Sequence, residues 1–140
     1  MTTLYKTQAT ALAGRNGQVK TDDGLLDLEL SYPKEMGGTG AATNPEQLFA
    51  AGYSACFSNA ILHVAREGKV NLKSAPVTAQ VGIGPNDNGG FALTVSLAVE
   101  LDMPQEQALE LTRIAHLVCP YSNAVRGNID VAVTVNGEAI

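Results

Sequence analysis

The segment from Thr43 to Gly68 constrains the fold of this chain more than any other. Thr43 or Asn44 can cap a helix, Pro45 suits the first helical position, and Glu46 falls in the first turn. The pattern predicts a helix that runs to Glu67 and stops at Gly68. From Leu48 to Ala65, apolar residues occupy most faces of that helix instead of a single stripe. A helix that is apolar nearly all round is covered on most sides. The chain has 140 residues, close to the common size of one domain, and residues 1–140 are read as one domain. In so small a unit the helix is expected to lie centrally, under a sheet, a second helix and a partner chain. Ser54, Ser58, Asn59 and His63 interrupt the apolar stretch. A spanning helix needs about 20 mostly apolar residues, so no membrane span is expected.

Composition supports the partner. Charged residues make up only 16% of the chain, against roughly 25% in ordinary soluble proteins. A surface that carries so few charges is expected to be partly covered by another subunit. The net charge of −5 disfavours nucleic acid and anionic membrane surfaces as partners. Met1 to Ala13 lacks a basic stretch followed by an apolar run, so no secretory signal is read there and a cytoplasmic location is expected.

The flanking segments read as strands and one more helix. Leu4 to Leu12 alternates weakly, Gly14-Arg15-Asn16-Gly17 is a turn signal, and Gln18 to Thr21 leads to a second turn at Asp22-Asp23-Gly24. Leu26, Leu28 and Leu30 alternate with Asp27, Glu29 and Ser31, which predicts a strand with one buried face and an antiparallel meander. Val77 to Ile83 and Phe91 to Leu101 read as a hairpin. Asp102 is expected to cap a second helix with Pro104 near its start and Pro120 at its end. A short helical turn over Tyr121 to Val125 and a last strand through Ile129, Val131, Val133 and Val135 complete the chain.

Two cysteines carry the chemistry of interest. Cys56 lies mid-helix in an apolar run, and Cys119 falls where the second helix ends. Two cysteines are too few for a disulfide scaffold, and two inert core thiols are the plain reading of such a pair. If they meet in space, however, they can run a redox cycle. A free thiol titrates near 8.5, burial raises that value, and the helix dipole gives little help in mid-helix. A reactive Cys56 therefore needs a cation, and arginine keeps its charge when desolvated. Arg15, Arg66, Arg113 and Arg126 are the candidates, with a lysine as the weaker alternative. Arg66 lies ten residues along the same helix, about 15 Å away, and Arg15 in its turn reads, on its residues alone, more readily as a solvated side chain. Glu46 is also ten residues from Cys56. It either caps its own helix or serves Cys56 from another, antiparallel copy of the helix. His63 is seven residues from Cys56, about 10 Å along the axis, so no Cys–His hydrolase pair is expected. His116 and Cys119 alone do not make a metal site, and no metal is expected.

The run Thr43-Asn44-Pro45-Glu46-Gln47-Leu48-Phe49-Ala50-Ala51-Gly52-Tyr53, continuing to Ala55-Cys56-Phe57, resembles the first signature of the organic hydroperoxide resistance (Ohr) branch of the OsmC/Ohr family. His116 with Val118-Cys119-Pro120-Tyr121-Ser122-Asn123-Ala124 and Arg126 to Val131 resembles the second. Gly14-Arg15-Asn16-Gly17, Asp23-Gly24 and Gly82-Ile83-Gly84-Pro85 fit as well. One departure lies at Gly40-Ala41-Ala42, where the family loop is often richer in glycine.

The resemblance implies an α+β fold with antiparallel sheets wrapped around two central helices, in an intertwined homodimer with its sites at the interface. It implies a thiol-dependent peroxidase of the oxidative stress response. In it Cys56 is the peroxidatic thiolate, Cys119 the resolving thiol, Arg15 the cation beside the thiolate and Glu46 the carboxylate partner of Arg15. No bound cofactor is implied. The expected reductant is an external dithiol, a dihydrolipoyl group carried on a lipoylated protein. Phe57 and Tyr53 are expected to line an apolar substrate pocket. Each methylene buried there is worth about 0.8 kcal/mol, which favours alkyl and fatty-acid hydroperoxides over hydrogen peroxide. A non-catalytic binder of apolar ligands is the rival reading of the same greasy pocket.

Overall fold

The computed structural model describes residues 1–140, and its contacts divide the chain into two compact units, Met1–Leu48 and Phe49–Ile140. The chain is α+β, as expected, with two sheets and three α-helices.

The first unit holds the meander. Strands β1 (Ala9–Leu12), β2 (Gln18–Thr21) and β3 (Asp27–Glu29) pair antiparallel in chain order. The first predicted strand is shorter than expected, because Leu4 and Tyr5 lie outside it and are exposed. Leu28 is also exposed, whereas Leu30 is buried and bridges to Thr43. The expected apolar face is therefore present in the pattern but left open within this unit. Between β1 and β2 the chain makes a 3-10 turn over Gly14–Asn16, entered through a left-handed Ala13 with φ 57°. Gly17 closes that turn, and a Cβ there would stand 1.5 Å from the Leu12 carbonyl oxygen. Only glycine allows this approach, and it fixes where Arg15 projects.

Helix α1 spans Pro45–Glu67, the bounds read from sequence. Asn44 supplies the cap: its Oδ1 accepts from the Gln47 backbone N–H at 2.9 Å. By length and composition α1 could cross a membrane, with a mean hydropathy of 1.3 over its best window. It is instead the core helix of the second unit. Tyr53, Phe57, Ala60, Ile61 and Ala65 are buried, and the Ser58 hydroxyl donates to the Ala75 carbonyl at 2.6 Å.

The second unit also contains β4 (Val77–Pro85), β5 (Phe91–Val99), α2 (Gln105–Val118), α3 (Pro120–Val125), β6 (Ala132–Val135) and β7 (Glu138–Ala139), with sheet order β4-β5-β6-β7. The predicted hairpin is present, and its turn is held by the Asn86 side chain, which accepts from the Asn88 and Gly90 amides. The sheet is mixed, not antiparallel throughout: β6 pairs parallel to β5, Leu97 opposite Val133. The reason is the connection. A crossover that carries two helices returns the chain in the same direction, as parallel pairing requires. Val95, Leu97 and Val99 of β5 and Val133 and Val135 of β6 join α1 and α2 in one apolar cluster.

Three smaller expectations change. Asp102 does not cap α2; Pro104 occupies the cap position without a side-chain bond, and Gln105 Nε2 donates to the Val135 carbonyl. The last strand begins at Ala132, leaving Ile129 and Val131 as half-buried residues ahead of it. The Asn136-Gly137 turn, not anticipated from sequence, adds β7. Asn136 takes a left-handed φ of 50°, which suits a tight hairpin, and its side chain grips both the N–H and C=O of Leu101.

Candidate active site

The two thiols meet. Cys119 Sγ donates toward Cys56 Sγ at 3.6 Å, and both cysteines are free. The elements explain the meeting. Cys56 is carried by the middle of α1, one turn after Tyr53 and one residue before Phe57. Cys119 is the single residue between α2 and α3, with φ −64° and ψ 122°, because Pro120 bars the residue before it from helical backbone. Cys119 is fully buried and Cys56 half-buried.

Burial pushes the Cys56 thiol above its ordinary value. The backbone amide of Tyr121 pulls the other way by hydrogen-bonding to the sulfur, and Cys119 adds to the upward push. That amide belongs to the first turn of α3, where helical N–H groups have no partner in their own helix. Burial wins, so within this unit nothing brings the thiol below the ordinary range.

Arg15 and Glu46 form a bidentate pair in the first unit. Arg15 Nη1 donates to Glu46 Oε2 at 2.7 Å and Nη2 to Oε1 at 2.5 Å, and their side chains are 21% and 14% exposed. The pair holds the Glu46 carboxyl below its usual range and raises Arg15. The guanidinium also lies 5.8 Å from the centroid of the Tyr32 ring, within cation–π range. Glu46 thus does not merely cap its helix; it fixes a charged fork.

Tyr53 and Phe57 are completely buried. They present no surface of their own to solvent. The aromatic side chains nearer the surface are Phe49 and Tyr121, which meet edge to face with centroids 6.3 Å apart. Tyr121 also packs on Tyr53 at 5.6 Å. The sequence reading missed Phe49 and Tyr121 as candidates, although Phe49 lies one turn before Tyr53 and two turns before Cys56 on α1. His116 Nδ1 pairs with the Ser122 hydroxyl at 2.8 Å, and its ring packs against Phe57. His63 is exposed. The base of a Cys–His hydrolase is therefore committed elsewhere. No group of three or more His, Cys, Asp or Glu side chains is placed to hold a metal ion.

The sequence model of OsmC-like proteins matches residues 38–134. The organic hydroperoxide resistance protein of Xanthomonas axonopodis pv. citri is 47% identical over 94% of both chains. This chain belongs to the OsmC-like family, in its organic hydroperoxide resistance (Ohr) branch. Solved structures agree. A Vibrio cholerae protein crystallised with captopril in one of its active sites superposes with a TM-score of 0.99 at 71% identity, covering 100% of this chain and 97% of that one. The OhrB structure of Bacillus subtilis gives 0.87 at 42% identity, covering 96% and 100%. Both signatures read from sequence thus mark an Ohr chain, and an oxidative stress response goes with the family. The second signature carries Cys119, at the corner between α2 and α3, and Tyr121 and Ser122 in the first turn of α3.

Proposed function

We propose that this Ohr chain is a cysteine-based peroxidase that reduces organic hydroperoxides to alcohols. The observation that carries the reading is the 3.6 Å approach of two free sulfurs from distant parts of the sequence. The Cys56 thiolate attacks the terminal oxygen of the hydroperoxide. The O–O bond breaks, the alkoxide takes a proton and leaves as the alcohol, and Cys56 becomes a sulfenic acid. Cys119 then attacks the Cys56 sulfur as its thiol proton is lost. The S–O bond breaks, water leaves and a Cys56–Cys119 disulfide forms. A dihydrolipoyl dithiol, carried on a lipoylated protein, reduces that disulfide by exchange and becomes the cyclic lipoyl disulfide. No bound cofactor takes part.

The thiolate requires a cation, because burial alone holds the Cys56 thiol up. Arg15, oriented by Glu46, is that cation, and it acts at Cys56 across the interface of a homodimer. Two features support the dimer. Only 28% of the most apolar window of α1 is buried in the single chain. Large apolar side chains also stand exposed on the meander and on α2, among them Leu12, Leu28, Leu117 and Val118. The apolar surroundings of Cys56 favour alkyl and fatty-acid hydroperoxides over hydrogen peroxide. Cytoplasmic residence fits a reductant carried on lipoylated enzymes.

The test is steady-state consumption of tert-butyl hydroperoxide with dihydrolipoamide or thioredoxin as electron donor. The reading expects turnover with dihydrolipoamide that Cys56→Ser abolishes. Ligand binding without turnover in the wild type would replace it with the binder.

A further inference from the structure

Ser122 is fully buried one turn after Cys119, and its hydroxyl is held from two sides. Tyr53 Oη lies 2.8 Å away and His116 Nδ1 also 2.8 Å away. The positions are significant. Tyr53 is on α1 one turn before Cys56, and His116 is on α2 one turn before Cys119. One hydroxyl therefore joins the helical turn leading into each sulfur to the turn that follows Cys119. Burial and the Arg126 charge hold His116 neutral. With the imidazole unprotonated at Nδ1, the three groups form one continuous chain, Tyr53 O–H to Ser122 O–H to His116 Nδ1. Arg126 secures the far end, donating from Nη2 to the His116 carbonyl at 2.6 Å and from Nη1 to the Asn123 side chain.

Disulfide closure needs this kind of support. The sulfurs stand 3.6 Å apart and a disulfide bond is about 2.05 Å long. Closing the remaining gap of about 1.5 Å is a matter of where the α2–α3 corner sits relative to α1. Cys119 is the corner residue. Its backbone bonds, Cys119 N–H to Ala115 C=O and Asn123 N–H to Cys119 C=O, tie it to its own two helices and not to α1. Besides the Tyr121 amide on the Cys56 sulfur itself, the Tyr53–Ser122 bond ties α1 to that corner through side chains that leave both sulfurs free.

We infer that Tyr53, Ser122 and His116 form a positioning clamp that sets the sulfur–sulfur approach, so that closure outruns further oxidation of Cys56. The clamp touches neither peroxide nor reductant; it acts through Cys119. The inference rests on the two-thiol reading above. In that cycle the Cys56 sulfenic acid has two fates: attack by Cys119 releases water and gives the disulfide, while a second hydroperoxide adds an oxygen, releases another alcohol and gives the sulfinic acid.

The experiment oxidises the reduced full-length protein with graded tert-butyl hydroperoxide and resolves disulfide from sulfinic acid by intact mass. Rapid mixing gives the ratio of the closure rate to the first oxidation rate. Ser122→Ala is expected to lower that ratio about five- to tenfold, the worth of one buried hydrogen bond, and to raise the sulfinic fraction in step. Ser122→Thr keeps the hydroxyl and is expected to restore most of the loss. Tyr53→Phe removes one oxygen and little volume; it is expected to lower the ratio alone and to add little to Ser122→Ala. Thr112→Val deletes another fully buried hydroxyl of α2, bonded only to the Ala108 carbonyl, and serves as the control for general loosening. An unchanged ratio in both Ser122→Ala and Tyr53→Phe, or an equal fall in Thr112→Val, overturns the clamp. A wild type that forms no Cys56–Cys119 disulfide overturns the peroxidase reading and the clamp with it, so the two failures are told apart.

Discussion

Gly52→Ala tests whether the surroundings of Cys56 are built as described. Gly52 lies on α1 one turn before Cys56, and a Cβ placed there stands 2.6 Å from Tyr121 Oη and 3.1 Å from two ring carbons. Ordinary contact needs about 3.5 Å, so the ring must move outward by nearly 1 Å. Alanine itself favours the helix by about 1 kcal/mol over glycine. Against that, Tyr121 is displaced from its packing on Phe49 and Tyr53, and each aromatic contact is worth about 0.5–1.5 kcal/mol. The net is a destabilisation of about 0–2 kcal/mol. In a chain of this length 1 kcal/mol moves the melting temperature by about 3–4 °C.

The informative readout is the thiol. The Tyr121 amide is the one backbone donor that favours the Cys56 thiolate, and moving the ring drags that amide. A hydrogen bond to a charged group is worth about 1.5–3 kcal/mol, so its loss pushes the Cys56 thiol further up. Alkylation of Cys56 across pH, followed by peptide mass, measures this directly, and the inflection is expected to move upward in Gly52→Ala. A variant that melts higher by the full helix gain, with an unmoved inflection, would refute the packing of Tyr121 over Gly52 and the role given to its amide.

Other outcomes follow from the same geometry. Cys119→Ser should leave Cys56 unable to form a disulfide, so trapping reagents should find its sulfenic acid persisting and dithiol-dependent turnover should fall by more than tenfold. Glu46→Gln keeps one acceptor but removes the charge from the Arg15 fork, and Arg15→Lys cannot span both carboxylate oxygens; both should lower kcat/KM for organic hydroperoxides while the far-UV spectrum stays unchanged. Acid should destabilise the fold in two stages. His116 is held below its ordinary value near 6.5, so its contribution is complete above that pH and is lost as pH falls. Glu46 is likewise depressed, and its contribution is lost at lower pH, below its unfolded value near 4.3. Melting temperatures should therefore fall once below about pH 6.5 and again below about pH 4.3, and His116→Asn should remove the upper stage. Asn136→Ala gives up three side-chain bonds, to the Leu101 N–H and C=O and to Gln105, at a left-handed φ. It should cost about 2–4 kcal/mol in denaturant titration, with Asn136→Gly recovering the backbone part.

What could be read from sequence was whatever a local pattern carries. Helix α1 was legible to the residue because Asn44, Pro45 and Gly68 are local signals with local causes. The pairing of Arg15 with Glu46 was not: the two are 31 residues apart, and their partnership came from the family signature, not from spacing. Parallel pairing of β6 was illegible because alternation at Val131, Val133 and Val135 reports a buried face and says nothing of strand direction. The Asp102 cap failed because Pro104 sets the start of α2, two residues further on. Leu28 illustrates a different limit. Its alternation was read correctly, yet it stands exposed in the single chain, since a pattern marks a face for covering without saying which chain covers it.

The unequal burial of the two sulfurs adds access to the argument for a division of labour, which otherwise rests on mobility alone, through the place of Cys119 at a helix end. A hydroperoxide must reach the sulfur it oxidises along the O–O axis, and only Cys56 retains exposure; Cys119 has none. Cys119 in turn occupies a corner between two helices, where a small rotation moves its sulfur without breaking a ladder of helical bonds. Cys56, eleven residues inside α1, has no such freedom. In the cycle proposed above, access assigns attack on peroxide to Cys56 and mobility assigns closure to Cys119. Exchanging the roles would demand that peroxide enter a sealed corner and that the middle of a 23-residue helix bend to meet it. If so, Cys56→Ser should leave Cys119 unoxidised by stoichiometric tert-butyl hydroperoxide over the time in which wild type is fully converted. Rapid oxidation of Cys119 in that variant would show that access does not decide the order.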